Sequence, residues 1–343
     1  MKKLWLRSVR AYIKLGLFFY FKKIQIHNRG NVPKDQPVLL LSNHQNALLD
    51  ALLIATNCGR YVHFLTRASV FKKSIVGKLL RSLQMLPVYR IRDGWNNLSK
   101  NNPVFSTCSQ LLQKGEGVVI FPEGSHNLKR TVRPLSKGFT RIIFETLEKY
   151  PDTNLQLIPV GVNFVNAKEF EDSVSVYYGK PICAKDFVTD FSNENVIKLK
   201  EVIHDKISQL TTHIPSDSYE ETLTGLQELN ANFLDPVTVN SCINSDLKNC
   251  QPIEPKHLDR FIPFLRFLLK MLLIGPYLVW RVNIKPKIDE VEFISTFRFA
   301  VAITLVPVWI ILVVVLFWVL LGWEIALLFA GLTLLVELWL IKT

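Results

Sequence analysis

The 343-residue chain predicts an α/β fold, a sheet with helices on its faces, bounded at both ends by membrane elements. Three observations predict it. Short apolar runs such as "VLLLSN" and "VVIF" alternate with helical patterns such as "ALLDALLIATNCG" across residues 30–213, and that alternation builds a helix-covered sheet. Residues 299–323 are 25 positions without a charge, where a spanning helix needs about 20. Lys3, Arg7, Arg10 and Lys14 step by 4, 3 and 4 residues, one stripe on a first helix rich in aromatics.

Residues 1–29 therefore read as an amphipathic helix in the membrane interface, closed by Lys22 and Lys23. In the domain at 30–213, "VLLLSN" is a buried strand after the turn chemistry of "RGNVPKDQP". "ALLDALLIATNCG" is a helix ending near Gly59. "YVHFLTRAS" is a strand, "SIVGKLLRSLQ" a helix and "MLPVYRIRD" extended. "NPVFSTCSQLLQKGEG" is a helix closed by glycine, and "VVIFPEGS" a strand with its exit loop. A helix stopping before Pro151, the strands "LQLIPVGVNF" and "SVSVYYGKPI", and a helix beginning at "NENV" complete the domain. Pro159, awkward inside a strand, suggests an edge or a bend near a site. Residues 214–258 are polar and hold four prolines; they read as a linker with one helix, "YEETLTGLQELNANF". Residues 259–343 form a membrane region. Within it, 259–280 embeds Arg266 and Lys270, which suggests an interfacial or re-entrant segment more than a clean span. A helical hairpin at about 299–341 turns at Gly322–Glu324.

The composition agrees with a membrane-bound protein: 49% of residues are apolar and the mean hydropathy is +0.20. The net charge of +12 is not interleaved with a recognisable RNA or DNA module, so an anionic membrane surface fits better than nucleic acid. Arg281, Lys285, Lys287 and Arg298 precede the hairpin and Lys342 follows it. Basic flanks stay cytoplasmic, which puts both hairpin ends and the large domain on the cytoplasmic face. Five cysteines, an odd number without CxxC spacing, read as free thiols in a reducing compartment. Lys14 interrupts the N-terminal apolar run and no small-residue cleavage site follows, so no cleaved signal peptide is expected.

Four stretches can carry chemistry. "SNHQNALLD" places His44 and Asp50 six residues apart, too far to share a helix face. His44 in a loop could be reached by Asp50 from the first turns of the next helix, which would fix its tautomer. Taken alone, the pair is better read as a satisfied histidine and a helix-start aspartate. "VVIFPEGSHN" ends a buried strand in Glu123, Gly124 and Ser125, delivering a carboxylate and backbone N–H groups to the sheet edge where ligands bind. Glu123 there requires a partner. "LPVYRIRD" puts Arg90 and Arg92 on one side of an extended segment, a fork that suits phosphate or a plain pair of surface arginines. "LIPVGVNF" reads as a core strand. No HExxH or tight ligand pair supports a zinc site built from His44, Asp50, His63 and His126.

Together and in this order, these stretches resemble the phospholipid/glycerol acyltransferase family over about residues 30–210. "SNHQNALLD" looks like its His-x4-Asp block and "LPVYRIRD" like the block with a phosphate-binding arginine. "FPEGSHN" resembles Phe-Pro-Glu-Gly-Thr/Ser-Arg, "LIPVGVNF" the Val-Pro-Val-Gly block, and "LSKGF" the Lys-Gly element between them. Two departures stand out. The first block is one residue longer, and His126 replaces the usual arginine, which moves the phosphate grip toward Arg90, Arg92 or Arg130. The resemblance implies a mixed sheet of the glycerolipid acyltransferase type. It implies transfer of a fatty acyl group from acyl-CoA or acyl carrier protein to a glycerol hydroxyl, with no cofactor and no metal. His44 and Asp50 would be catalytic; Arg90, Arg92, Glu123, Gly124 and Ser125 would bind substrate. The expected acceptor is 1-acylglycerol 3-phosphate, with glycerol 3-phosphate or dihydroxyacetone phosphate as rival. Aminolipid or lysophospholipid acceptors, hydrolysis of lipid esters, and a non-catalytic lipid-binding role on the same fold are the alternatives.

Overall fold

The computed structural model describes residues 2–90, 99–188, 192–252 and 261–342. The chain begins with α1 (Lys2–Tyr20), β1 (Lys23–His27), β2 (Val38–Ser42), α2 (Ala47–Asn57), β3 (Val62–Arg67), α3 (Ser74–Ser82) and β4 (Met85–Val88). It continues through α4 (Asn102–Gln113), β5 (Gly117–Ile120), α5 (Gly138–Lys149), β6 (Gln156–Phe164), β7 (Ser173–Tyr178), β8 (Ile182–Cys183) and α6 (Asn193–Leu210). Beyond the sheet lie α7 (Tyr219–Glu228), α8 (Pro236–Asn244), α9 (Ile262–Leu272), α10 (Ile274–Leu278), α11 (Ile294–Leu321) and α12 (Trp323–Lys342).

The strands form one mixed sheet in the order β1-β7-β6-β2-β5-β3-β4, with β8 also on β6. From β6 to β4 every pairing is parallel, whereas β7 and β8 run against β6. The carboxyl ends of β2, β3, β4 and β5 therefore open on one edge, the place where parallel sheets bind ligands. Alternation along β2 divides the core. Val38 and Leu40 face α1 and α2, while Leu39 and Leu41 face α4, α5 and α6. With both faces covered, β2 and β6 are buried throughout, which explains their largely apolar sequences.

β6 is an interior strand, so Pro159 does not mark an edge. β8 pairs with Gln156 and Leu157, and β7 takes over at Val160. The proline, which lacks an N–H, falls where the neighbour changes. The stretch expected as a linker has its own small core, in which Ile214, Tyr219, Leu226, Phe233 and Val239 are buried. Its second helix, α8, was hidden by the prolines of the region. Pro236 sits in its first turn and Asp235 caps it by accepting from Thr238 N–H. Cys242 and Cys250 are joined in a disulfide, which corrects the expectation of five free thiols; Cys58, Cys108 and Cys183 are free.

The segment Val291–Leu321 and α12 are long and apolar enough to cross a membrane, and Gly322, with φ +95°, makes the turn between them. Ser295, Thr296 and Phe299 at the start of α11 are buried against the domain. At the other end, Lys342 Nζ donates to the carbonyls of Phe18 and Phe21 at 2.7 and 2.8 Å, neutralising the C-terminal end of α1. Both feet of the hairpin thus stand on the domain. α1 also packs there through Leu17 and Tyr20, and its Arg10 bonds the carbonyl of Thr56. Leu4, Leu15 and Phe18 stay exposed on its outer face.

Candidate active site

His44 leaves the end of β2 in a loop held by its neighbour. Asn43 makes a two-bond clamp on β6, accepting from Val162 N–H at 2.8 Å and donating to Val162 C=O at 2.9 Å. Asp50, in the first turn of α2 and fully buried, turns back over this loop. Its Oδ2 lies 2.8 Å from His44 Nδ1, and also accepts from the N–H groups of Gln45 and Asn46 at 2.8 Å each. The six-residue spacing leaves Gln45 and Asn46 in the loop, and the carboxylate accepts from both of their N–H groups. A carboxylate only accepts, so in a neutral ring Nδ1 carries the proton and Nε2 keeps a lone pair. Phe121 stacks on the imidazole at 4.0 Å between ring centroids, fixing its plane.

Glu123 reaches the same loop from the end of β5. Its Oε1 accepts from His44 N–H at 3.2 Å, and its Oε2 meets Arg133 Nε at 2.7 Å. Burial pushes the Glu123 carboxyl up from its ordinary value, opposed by the Arg133 guanidinium and the His44 N–H. Arg133 also donates to the Ser125 hydroxyl at 2.6 Å and to its carbonyl, so one side chain organises the whole Glu-Gly-Ser turn. Sequence reasoning required a partner for Glu123 but did not identify it. Gly124 adopts φ +75°, and nothing lies within 4 Å of where a Cβ would stand. His126 closes the loop, its ring edge-on to His44 at 5.6 Å and its Nε2 3.0 Å from Glu290.

These groups border a cavity of about 890 Å³. His44, Glu123, Gly124, Ser125 and Arg90 all line it. Arg92 lies outside the described residues. Arg67, Lys137 and Arg141 add positive charge that was not foreseen. The greater part of the wall is apolar, built from Phe64, Val70, Val76, Leu80 and Met85 among others. Phe293, Thr296 and Phe297, at the entry to the membrane hairpin, complete it. Thr296 Oγ1 accepts from Leu48 N–H at 3.3 Å, fastening the hairpin to α2 beside the site.

Arg130 is not part of this constellation. Its guanidinium donates to the carbonyls of Phe164 and Val165 at 2.7 and 2.6 Å and lies 3.8 Å from the Phe233 ring centroid. It ties β6 to the unit containing α7 and α8. Burial lowers its pKa to about 10. His63 is likewise engaged elsewhere, with Glu116 at 2.7 Å. Among the described residues, His126, Glu290 and Glu292 bring three metal-capable atoms within 4.8 Å of one another, with the His126 nitrogen already bonded to Glu290.

Comparison with known proteins supplies the class. The family described as Acyltransferase matches residues 23–163. The chain is 26% identical over 122 residues to glycerol-3-phosphate O-acyltransferase 1 of Saccharomyces cerevisiae, covering 35% of this chain and 15% of that protein. It is 23% identical over 205 residues to a 1-acyl-sn-glycerol-3-phosphate acyltransferase of Borreliella burgdorferi, covering 58% of this chain and 76% of the relative. The first four curated relatives are spanned over only 15% to 35% of their length. Among solved structures, the 1-acyl-sn-glycerophosphate acyltransferase of Thermotoga maritima is similar over 61% of this chain and 80% of that one, with a TM-score of 0.46 and 18% identity. Residues 23–163 thus match the family described as Acyltransferase, and the curated relatives similar to this chain include proteins named as glycerol-3-phosphate and 1-acylglycerol-3-phosphate acyltransferases.

Proposed function

We propose that the protein transfers a fatty acyl group from an acyl thioester to a hydroxyl of a phosphate-bearing glycerol acceptor, with 1-acylglycerol 3-phosphate as the acceptor. The observation that carries this reading is His44. Its Nδ1 is held 2.8 Å from the buried Asp50, and its ring borders a large, mostly apolar cavity with basic groups on its wall. The lone pair on Nε2 takes the proton of the glycerol hydroxyl as its oxygen attacks the thioester carbonyl. The C–O bond forms, the C–S bond breaks, and the departing thiolate takes the proton back from the imidazolium. Asp50 stabilises the transient cation and keeps the tautomer. The apolar wall accommodates the acyl chain, and Arg90 holds the acceptor phosphate with charge-assisted bonds.

The membrane helices keep both lipids and enzyme in one phase. The basic residues flanking the hairpin support a cytoplasmic position for the domain. The Cys242–Cys250 disulfide points the other way, because such bonds persist in oxidising compartments. Protease protection of the domain in sealed vesicles decides the side.

The test of function uses purified protein in lipid nanodiscs with labelled oleoyl-CoA. Glycerol 3-phosphate, 1-acylglycerol 3-phosphate and lysophosphatidylcholine are offered in turn, with a His44→Ala variant alongside. Transfer to 1-acylglycerol 3-phosphate, lost in the variant, is expected. Transfer only to glycerol 3-phosphate reassigns the step. Free fatty acid as the sole product makes the protein a hydrolase, and no reaction with either acyl-CoA or acyl-acyl carrier protein favours a lipid-binding role.

A further inference from the structure

We propose that residues 262–287 form a re-entrant helical pair that enters one leaflet, turns inside the hydrocarbon and returns to the same surface. This rests on the reading that α11 and α12 cross a membrane.

The first limb is α9, which descends along α12. Leu265 and Leu269 are buried against Val336 and Leu340. Near its start, Arg266 is bonded to Glu171 of the catalytic domain at 2.9 Å, which sets that level at the membrane surface. The chain then bends by 97° between Leu272 and Ile274. The second limb, Ile274–Lys287, climbs along α11. Gly275 lies against the Trp309 ring so closely that a Cβ would stand 2.5 Å from it. Farther along the limb, the Trp280 ring lies 5.4 Å from the Arg298 guanidinium. From Gly275 to Trp280 the neighbour thus moves from the middle of α11 to the charged boundary at its start. Lys285 and Lys287 mark the exit.

The depth of the bend follows from helix geometry. Trp309 lies ten residues beyond Phe299, the first residue of the uncharged stretch. At 1.5 Å per residue that is about 15 Å, roughly half of a 30 Å hydrocarbon core. Measured along α9, Leu272 lies six residues, about 9 Å, below Arg266. Both routes end within one leaflet.

A helix break at that depth frees backbone carbonyls that water cannot reach, and each such group costs several kcal/mol unless protein satisfies it. Trp309 Nε1–H donates to the Leu272 carbonyl at 2.9 Å, the bond that a break in hydrocarbon requires. The outer surface suits lipid chains, with Phe264, Phe267, Met271 and Leu278 all exposed. Lys270, which can extend its ammonium toward the headgroups, lies over the Tyr277 ring at 5.7 Å.

The experiment labels single cysteines with a charged, membrane-impermeant maleimide. The full chain sits in phosphatidylcholine–phosphatidylglycerol nanodiscs in a Cys183→Ser background, where the remaining native thiols are buried or paired. Asp217→Cys is the exposed control and Ile311→Cys the control within α11. Met271→Cys and Ile311→Cys are expected to be protected while Asp217→Cys reacts. In sealed vesicles, Phe261→Cys and Asp289→Cys are expected to react from the same side. Trp309→Phe, which removes the donor and part of the ring packed on Gly275, is expected to restore labelling of Met271→Cys. Labelling of Met271→Cys with Ile311→Cys still protected overturns the re-entrant pair but keeps the hairpin. Labelling of both overturns the membrane reading itself. Reaction of positions 261 and 289 from opposite sides makes the segment a third span and overturns the proposal.

Discussion

His126 Nε2 lies 3.0 Å from Glu290 Oε2, joining the loop that leaves β5 to the segment that leads into the membrane hairpin. The same ring meets His44 edge-on at 5.6 Å and Phe293 at 4.7 Å. The loop after β5, the His44 ring and the start of the apolar hairpin are therefore packed as one wall. Burial lowers the His126 pKa, opposed by Glu290, and a neutral ring bonded through Nε2–H offers no positive charge to a phosphate. Glu290→Ala is expected to loosen this wall and raise the acceptor KM several-fold with a smaller change in kcat. Glu290→Gln, which retains an acceptor oxygen, is expected to keep most of the activity. Steady-state kinetics on the two variants separate these outcomes, and equal behaviour would remove the hydrogen bond as the cause.

The bond from Asp50 to His44 predicts a large catalytic effect with little structural one. General-base assistance is worth about 10²- to 10⁴-fold, so His44→Ala is expected to lose at least that much in kcat while the melting temperature barely moves. Asp50→Asn keeps an oxygen at the position where Oδ2 accepts from His44 Nδ1–H and from the N–H groups of Gln45 and Asn46, but removes the negative charge that stabilises the imidazolium, so kcat is expected to fall toward that of His44→Ala. Near-normal turnover in either variant would sink the mechanism.

The order of strands and helices was legible because burial on both sheet faces writes unbroken apolar runs, and amphipathic helices write periodic ones. His44, Asp50, Glu123 and Gly124 were legible because a strand-end loop compresses its polar groups into a few consecutive residues. Arg133 was not. It lies ten residues from Glu123 with no periodicity linking them, and only the fold of the intervening loop brings them to 2.7 Å. Phe293 and Phe297 were equally invisible, since an apolar residue next to a membrane span carries no mark of facing a cavity. Arg130 was a phosphate candidate because His126 stands where the resemblance expects an arginine; its bonds to Phe164 and Val165 exist only once β6 is in place. The core formed by α7 and α8 was obscured by prolines that serve as helix starts as well as loop breakers.

The Glu123–Arg133 pair predicts a pH-dependent stability. The Glu123 side chain is 4% exposed and that of Arg133 27%. Burial raises the folded-state pKa of Glu123 above its ordinary value. A raised carboxyl holds its proton more tightly when folded, so its contribution to stability falls as pH rises from the ordinary carboxylate range through the folded value. Without Arg133 that value rises further and the loss grows. Arg133→Ala is expected to cost about 3 kcal/mol at pH 8, the low end for breaking a buried pair, and less at pH 5. Adding Glu123→Gln should abolish the pH dependence of the difference. Thermal melts in detergent at both pH values check this, and a deficit independent of pH would contradict it.

Two glycines of the site region are expected to respond in opposite ways. At Gly161, in the middle of β6, a Cβ would stand 2.0 Å from the Leu210 carbonyl oxygen and 2.5 Å from its carbon. Both atoms are backbone at the end of α6, so no rotamer change relieves the clash. Gly161→Ala must push α6 off the sheet, separating Ile203 and Ile207 from the core they share with Leu157. A protein that aggregates or melts far below the wild type is expected. Gly124→Ala meets no atom, so its penalty is the left-handed backbone alone, about 1 to 2 kcal/mol. Its added methyl group borders the cavity beside Glu123 and Ser125, so activity should fall more than stability. Size-exclusion profiles, melting curves and acyl-transfer rates for the two variants make the comparison. A Gly161→Ala protein as stable as wild type would show that α6 does not pack on β6 at this distance. A Gly124→Ala protein with full activity would remove that turn from the substrate-facing wall.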